Sequence, residues 1–409
     1  MATGEGALPV AAILAALFAV GLLFQVWLSA RQIRYLGRQT EGRVRARGTV
    51  HVMIAAVAMS LDVALAIWLT LGGGIAWLAG FWRDRPAAAG GMVASVVFAG
   101  AVLDATRRSG RTYLLDVRFD GARPPLGKIL AHAMAPVPPK VALAAIAGEA
   151  FAAMIAITPS RWWLWAALLW MVGLVATAWL APDPSHQGGM TASQRLADPL
   201  LVARLAPTLA RFGLSGDEIR VAIGPPGMQR ANANLSGAGR FRRVTLSDTL
   251  IALLTPAEVE AVLAHEVGHW RCHHVGRDLA YRALLASGGF AALALAMQHP
   301  ALFSRIVGER PSPATWLAMA AALSPLTAML TTPLWAHWRR GMEYEADDFA
   351  ARHADPRTLI SALETLDAVN ATASAADPLY ARFYNAHPSR ADRVQRLARP
   401  SCPPRQPPT

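Results

Sequence analysis

Residues 255–270 read TPAEVEAVLAHEVGHW, and this stretch decides how the rest of the chain is interpreted. Thr255 is a favourable N-cap residue, a proline follows at the first helical position, and Glu258 completes a capping box, so a helix is predicted to begin directly after Thr255. Residues four apart lie on one face of a helix. His265 and His269 can therefore bind one metal ion together.

The HExxH motif within this helix favours metal-assisted hydrolysis. Two imidazole ligands favour zinc over calcium or magnesium. Glu266 is adjacent to the first histidine and is suitably positioned to take a proton from a water molecule that attacks a peptide carbonyl. The motif alone has modest specificity, because it fixes only three positions, and its alternative interpretation is a surface helix with scattered polar groups.

The residues that follow the motif exclude two classes of zinc protease. Metzincins require a glycine and a third histidine shortly after it, but Cys272 and Val275 occupy those positions. Thermolysin-like enzymes require a glutamate about twenty residues downstream. Residues 283–305 contain no carboxylate, so that class is excluded as well.

The next dense group of carboxylates is the sequence EYEADD at 343–348. On a helix Glu343 and Asp347 share one face, whereas Glu345 points elsewhere. We therefore expect Glu343 to be the third zinc ligand and Asp347 to accept a hydrogen bond from a zinc-binding histidine. An exposed acidic helix start is the alternative.

The composition indicates a membrane protein. With 54% hydrophobic and 16% charged residues, the 409-residue chain is too apolar to be water-soluble throughout. Its net charge of +12 comes from arginines in short runs between apolar stretches, which is typical of membrane topology and not of a nucleic-acid partner. Seven apolar stretches approach the length of a membrane-spanning helix: Leu8–Ser29, Val50–Leu71, Ala87–Leu103, Val141–Ile157, Trp162–Leu180, Leu279–Met297 and Trp316–Trp335.

The distribution of arginines predicts the topology and the domains. The loops after the first and third spans are rich in arginine and are therefore expected in the cytoplasm. The polar segments before and after the last two spans then share the cytoplasmic side, and a small sheet is expected near 219–223 and 240–246. We predict an N-terminal membrane domain with about five spans (1–181), the two parts of a metalloprotease domain (182–278 and 336–399), the two-span membrane hairpin between them (279–335), and a disordered tail (400–409).

At these residues the chain resembles the CAAX prenyl protease type of integral-membrane zinc metalloproteases, in which HExxH is followed, after two membrane spans, by ExxxD. The resemblance implies a mostly α, integral-membrane fold of about seven transmembrane helices with a gluzincin-like α/β metalloprotease domain and one Zn²⁺ per chain. Further similarities are Arg31-Gln32, Asn232-Ala233, the SDTL sequence at 247–250, Trp270, and His387-Pro388 with Arg393.

The resemblance also implies roles for individual residues around the metal. In this family pattern His265, His269 and Glu343 bind zinc, Glu266 is the general base, and Asp347 supports the site.

Four other residues match family positions outside that set. The resemblance implies that His387 assists at the tetrahedral intermediate and that Arg393 shapes the same region. The strand edge near Asn232 is expected to hold an extended substrate, a sequence-tolerant mode of binding. His274 also has a counterpart in the family, and we expect it to be structural.

Together these observations predict a zinc metalloendopeptidase in the membrane, most consistent with the bacterial inner membrane, with its metalloprotease domain facing the cytoplasm. Its expected partners are the lipid bilayer and a peptide or membrane-protein substrate, in CAAX-type processing or membrane quality control. The alternative is a non-proteolytic membrane sensor or scaffold with a structural zinc site. Structural sites usually fill all four zinc positions with protein ligands, whereas this set leaves one open. A transporter is a third interpretation, but no pair of broken helices supports it.

Overall fold

The computed structural model is mainly α-helical and describes residues 7–40, 42–119, 124–180, 192–214, 219–223, 231–236, 243–307, 311–369 and 376–399. A short π-helical segment, Thr112–Val117, continues α4. The helices are α1 (Ala7–Gln39), α2 (Gly42–Thr70), α3 (Gly74–Trp82), α4 (Ala88–Arg111), α5 (Leu126–Met134), α6 (Val137–Ile157), α7 (Trp162–Leu180), α8 (Pro199–Arg211), α9 (Asp248–Leu253), α10 (Pro256–Arg271), α11 (His274–Met297), α12 (Pro300–Val307), α13 (Pro313–Ala322), α14 (Ser324–His353), α15 (Pro356–Val369), α16 (Pro378–Tyr384) and α17 (Arg390–Leu397).

Several of these helices have the length and composition of membrane spans. Within the described ranges there are five, or six if α13 and α14 count as one bent span, and α7 has a shorter apolar stretch at Trp162–Thr177. The predicted fold class, a mostly helical integral membrane protein with about seven spans, is confirmed in outline. The five stretches are Val10–Gln39, Gly42–Thr70, Ala88–Leu115, Leu126–Ile157 and His274–Met297.

The last expected span, Trp316–Trp335, is not one straight helix. The chain bends by 49° between α13 and α14. Pro325, the second residue of α14, lacks the amide hydrogen that a continuous helix would bond to the carbonyl four residues earlier, so the hydrogen-bond ladder is interrupted there. The expectation of a single span is corrected to a broken one.

The chain divides into two compact units. One comprises residues 1–173 and 281–333, and the other comprises 174–280 and 334–409. The domain boundaries proposed from the sequence stay a prediction. The tail at 400–409 lies outside the described residues.

Within the first unit, glycine allows α4 and α6 to come into close contact. A Cβ atom on Gly148 would lie 2.9 Å from Gly90 Cα, and one on Gly90 would lie 2.4 Å from the Ala145 carbonyl oxygen. Glu149 on α6 accepts a hydrogen bond from the Gly90 amide at 2.6 Å, near the N-terminus of α4. This bond satisfies an amide that has no partner within its own helix.

The second unit contains a small mixed sheet, as the sequence predicted. Its strand order is β1-β2-β4-β3, with β2 and β4 parallel and the outer pairs antiparallel. The edge strand β3 is therefore bonded on one side by β4. The strands are β1 (Ala192–Arg195), β2 (Ile219–Ile223), β3 (Ala233–Ser236) and β4 (Arg243–Ser247).

Helix α10 crosses the core of this second unit. It begins at Pro256 with the predicted capping box, in which Thr255 and Glu258 bond each other's main-chain amides. Glu258 also accepts a hydrogen bond from Ser361 on α15 at 2.6 Å. Leu263 and Val267 are fully buried in a core shared with α8, β2, β4, α14 and α15. The helix that carries the HExxH motif is thus fixed at its start and along its apolar face.

Candidate metal centre

Helices α10 and α14 bring together the two sequence motifs. His265 and His269 lie on one face of α10, and Glu343 faces them from α14. Their metal-binding atoms all lie within 4.8 Å of one another. The carboxylate that sequence reasoning selected across a long separation is thus beside both histidines.

The distances within this group suit a small divalent cation. The Nε2 atoms of His265 and His269 are 3.2 Å apart, and each lies 3.7 Å from an oxygen of Glu343. Zinc bonds nitrogen and oxygen at about 2.1 Å in a tetrahedron, which places neighbouring ligand atoms about 3.4 Å apart. Because lone pairs and a carboxylate converge here, a cation between them would satisfy all three groups.

The charge balance of the two histidines points in the same direction. Burial disfavours protonation of His265, but hydrogen bonds to Asp347 and Glu343 outweigh it and raise its pKa to about 9. Burial, followed by repulsion from His265, lowers the pKa of His269 to about 3. Asp347 and Glu343 thus favour positive charge at this pair, and a divalent metal ion can supply it.

Asp347 orients the first of the two histidines. Its Oδ1 atom lies 3.0 Å from His265 Nδ1, on the opposite side of the ring from the converging Nε2 atom. Arg393 on α17 bonds both oxygens of Asp347, at 2.5 and 2.8 Å, and Asp347 is fully buried. A carboxylate that accepts from Nδ1 fixes the tautomer in which Nε2 is free to bind a metal. Asp347 thus has the predicted contact, and Arg393, which bonds Asp347, also lies 3.4 Å from His265 Nδ1.

Glu266 is partly buried beside the three converging groups and lines the same cleft. Burial raises the pKa of Glu266 to about 7, against the opposing effect of His265. A carboxyl group with a pKa near neutrality can both accept and return a proton. This property suits the base that the sequence predicted, a role that stays a prediction.

His387 approaches the centre from the loop before α17. Its Nδ1 atom lies 3.1 Å from Glu343 Oε1, while 68% of its side chain is exposed. The structure thus brings His387 to the open side of the centre, where it faces the cleft. Its part in a tetrahedral intermediate stays a prediction.

Asn232 lies directly before the edge strand β3 and lines the same cleft, which has a volume of about 590 Å³. Its main-chain amide donates to Ser247 Oγ, and its carbonyl accepts from the Ser247 amide, each at 2.9 Å. Both main-chain groups of Asn232 are therefore bonded to β4 or its end. Its contact with a substrate stays a prediction and would involve the side chain.

Two contacts at this centre were missed from the sequence. His274, expected to be only structural, is 2.8 Å from His269 through their Nδ1 atoms, and Glu345 lies 3.1 Å from the other nitrogen of His274. Helix α10 ends at Arg271, and His273 has a positive φ of 56°, so the chain turns before His274. Helical spacing, the basis of the sequence argument, does not apply across such a turn.

Close packing of α10 against α14 depends on Gly268. A Cβ atom there would lie 3.1 Å from the Cα and carbonyl oxygen of Ala346 and from the Cβ of Phe349. We expect Gly268→Ala to push α14 away, to lower the free energy of unfolding by about 1–3 kcal/mol and to weaken metal binding. Thermal unfolding in detergent and a metal titration measure both effects.

Gly341→Ala is the matched control for this prediction. Gly341 lies on α14, and a Cβ atom there would meet nothing within 4 Å. This replacement should leave stability unchanged or raise it, because alanine is the better helix former. Equal effects of the two substitutions would contradict the packing argument.

Comparison with known proteins gives a consistent family assignment. Residues 201–401 match the model of peptidase family M48. A CAAX prenyl protease 1 homolog of Arabidopsis thaliana is 29% identical over 199 residues, which are 48% of this chain and 46% of that protein. The CAAX prenyl protease 1 of Saccharomyces cerevisiae is 26% identical over 204 residues, which are 46% of this chain and 45% of that protein. The chain spans about half the length of these curated relatives.

A second group of relatives and a solved structure extend the comparison. A protease HtpX homolog of Acaryochloris marina is 30% identical over 187 residues, covering 40% of this chain and 61% of that protein. The crystal structure of S. mikatae Ste24p matches with a TM-score of 0.81 and 18% identity, over 95% of this chain and 99% of that one. At that identity the match shows the fold. Residues 201–401 are thus a peptidase family M48 domain, and the chain is similar to the CAAX prenyl protease type of that family, as its motifs predicted.

Proposed function

We propose that the protein is a zinc metalloendopeptidase that hydrolyses peptide bonds of membrane-associated proteins or peptides. The observation that carries this proposal is the convergence of His265, His269 and Glu343, with Glu266 beside them at a cleft. Membership in a peptidase family supports a protease. Three protein ligands and an open side are typical of a catalytic zinc site.

The proposed reaction divides its tasks among few residues. Zinc, when bound by His265, His269 and Glu343, supplies Lewis acidity and makes water a nucleophile near neutral pH. Glu266 takes the proton from the attacking water and passes it to the leaving amine, a role that its position at the cleft beside the three ligands supports. His387, at the open side of the cleft, donates a hydrogen bond to the oxygen on which negative charge develops.

The edge strand β3 is the proposed binding surface for an extended substrate. Successive residues of a strand direct their main-chain groups to opposite sides. Since those of Asn232 are directed to β4, those of Ala233 and Leu235 are directed to the other edge. Both residues line the cleft that contains Glu266. A substrate would therefore pair with these two residues, and Asn232 would contribute its side chain.

The substrate class and location rest on the membrane helices and on the charge distribution. Relatives are named as CAAX prenyl proteases and as HtpX proteases, so the common proposal is proteolysis at the membrane. The arginine-rich loops favour a cytoplasmic position for the metalloprotease part. A composition rich in alanine and arginine suits a bacterial inner membrane, where quality control or processing of membrane peptides is the proposed role.

The alternative function is a membrane sensor or scaffold that holds zinc for structural reasons. Glu266 and the cleft argue against it, because a purely structural site needs neither a base nor access for a substrate. The two functions predict different results when the metal is removed.

Metal removal from the full-length protein in detergent tests the proposed function. We expect about one zinc per chain by elemental analysis, loss of cleavage of fluorogenic peptides after treatment with a chelator, and recovery when zinc is returned. Magnesium serves as the control, since imidazole ligands select against it. Absence of stoichiometric zinc, or full cleavage by the metal-free protein, would refute the proposal, whereas unfolding on metal removal without any prior cleavage would favour the scaffold.

A further inference from the structure

A second chain of hydrogen bonds begins at the candidate metal centre on the side of His269. His269 Nδ1 lies 2.8 Å from His274 Nδ1, and His274 Nε2 lies 3.1 Å from Glu345 Oε2. Arg277 then pairs with both oxygens of Glu345, at 2.5 and 3.2 Å. The reaction proposed above uses none of His274, Glu345 and Arg277.

The proposed role of His269 fixes where the hydrogens lie along this chain. A neutral histidine that binds a cation through Nε2 carries its hydrogen on Nδ1. That hydrogen is directed at His274 Nδ1, which must then be the acceptor, so His274 carries its own hydrogen on Nε2. The Nε2 hydrogen faces Glu345, and each N–H therefore has an acceptor. The reverse direction would place a hydrogen on His269 Nε2, where a lone pair is required.

Burial indicates that this arrangement is well fixed. The His274 side chain is 1% exposed, and its two ring nitrogens contact His269 and Glu345. Glu345 and Arg277 are 44% and 40% exposed. The other histidine of the centre has a similar arrangement, because His265 Nδ1 contacts Asp347, which Arg393 holds in place. Each histidine of the centre thus has a separate acceptor that is itself held in place by further hydrogen bonds.

A second metal site is the other interpretation of these residues. Metal-binding atoms of Cys272, His274 and Glu345 also lie within 4.8 Å of one another. The Arg277 guanidinium, however, already neutralises Glu345, and His274 Nδ1 is directed at His269. Both contacts oppose a cation there, so the hydrogen-bond chain is the better explanation.

We propose that His274 is a positioning residue, whose Nδ1 atom accepts from His269 and keeps the His269 Nε2 lone pair directed at the metal. Glu345, held by Arg277, keeps His274 in the required tautomer. The inference rests on the proposed function, because it takes His269 as a zinc ligand. It goes beyond that function because it assigns His274 and Glu345 a role that they exert only through the zinc ligand His269.

Two substitutions at His274 separate an acceptor role from a packing role. His274→Leu removes the acceptor. His274→Asn keeps one, because the asparagine Oδ1 atom and the histidine Nδ1 atom are both bonded to Cγ. The zinc dissociation constant of the full-length protein is measured by competition with a chromophoric chelator. We expect zinc binding to weaken about 10–100-fold in the leucine variant and to recover largely in the asparagine variant.

A second pair of variants tests the outer part of the chain without disturbing a buried residue. Glu345 and Asp348 lie on the same helix, are similarly exposed, and each pairs with an arginine. Asp348 pairs with Arg396 and, among the described residues, does not contact a histidine of the centre. We expect Glu345→Ala to weaken zinc binding and Asp348→Ala to leave it unchanged. If the leucine variant does not fold, the comparison of Glu345→Ala with Asp348→Ala still tests whether the hydrogen-bond chain supports zinc binding.

The outcomes distinguish this inference from the proposed function. If the wild-type protein binds one zinc and the leucine variant binds it equally well, the positioning role is wrong and the peptidase proposal stands. The same conclusion follows if the asparagine variant binds zinc as weakly as the leucine variant. A second zinc equivalent that disappears in the His274 variants would also overturn the role, in favour of a separate site. A wild-type protein without zinc would overturn both proposals.

Discussion

Replacing Glu266 by glutamine is expected to reduce peptide cleavage by a factor on the order of 10²–10⁴ while leaving zinc bound at one per chain. The amide of glutamine has nearly the shape of the carboxyl group but cannot accept the proton from water. Because Glu266 is outside the set formed by His265, His269 and Glu343, the substitution should not remove the metal. Turnover measured under substrate saturation, together with elemental analysis of the same sample, checks both parts.

Glu260→Gln is the matched control for this experiment. Glu260 lies on the same helix, six residues before Glu266, and its carboxylate bonds Thr208 at 2.7 Å and Arg204 at 3.2 Å. It is absent from the residues that line the cleft, so its replacement should leave turnover unchanged. Wild-type turnover by Glu266→Gln would exclude the proposed base and would favour a scaffold.

Local sequence rules were sufficient where the structure obeys helical periodicity. The capping box at Thr255 located the start of α10, and four-residue spacing placed His265 with His269 and Glu343 with Asp347. The contact between the two pairs could not follow from periodicity, since it depends on how α10 packs on α14. The sequence selected Glu343 because carboxylates are scarce between the two motifs, and the structure places Glu343 beside both histidines.

Sequence rules failed where the chain leaves a regular helix. His274 lies five residues after His269, a spacing that would separate the two side chains on a continuous helix, yet their Nδ1 atoms are 2.8 Å apart. The left-handed conformation of His273 produces this approach. Histidine adopts that conformation more often than most residues, but this preference does not identify which histidine of a sequence does so. The bend before Pro325 was missed for another reason, because hydropathy averages over a window and does not detect one missing amide hydrogen.

The second large effect is expected from Arg393→Met, which leaves a buried carboxylate without its main partner. Asp347 is fully buried, and Arg393 is 13% exposed. Removing one member of a buried ion pair typically costs about 3–5 kcal/mol of folding stability, because the remaining charge stays desolvated. We expect a loss of this size in denaturant or thermal unfolding, together with weaker zinc binding, since Asp347 then orients His265 less firmly.

Arg396→Met separates burial from charge in this prediction. Arg396 lies on the same helix as Arg393 and pairs with Asp348, one residue beyond Asp347, through two nitrogens at 2.7 and 3.2 Å. The two pairs have similar geometry, but the side chains of Arg396 and Asp348 are 47% and 39% exposed. An exposed pair contributes about 0–1 kcal/mol, so this variant should be nearly as stable as wild type. Equal losses in the two variants would contradict the burial argument.

The double variant Arg393→Met with Asp347→Asn tests whether an uncompensated charge causes the loss. Asparagine removes the charge but keeps an oxygen that can accept from His265 Nδ1, which lies 3.0 Å from the native carboxylate. If burial of an unpaired carboxylate is the cause, the double variant should be more stable than Arg393→Met alone, and the two substitutions should not be additive. If the double variant is less stable than Arg393→Met, Arg393 contributes through the packing of α17. Zinc binding should then be lost only to the extent that the protein unfolds.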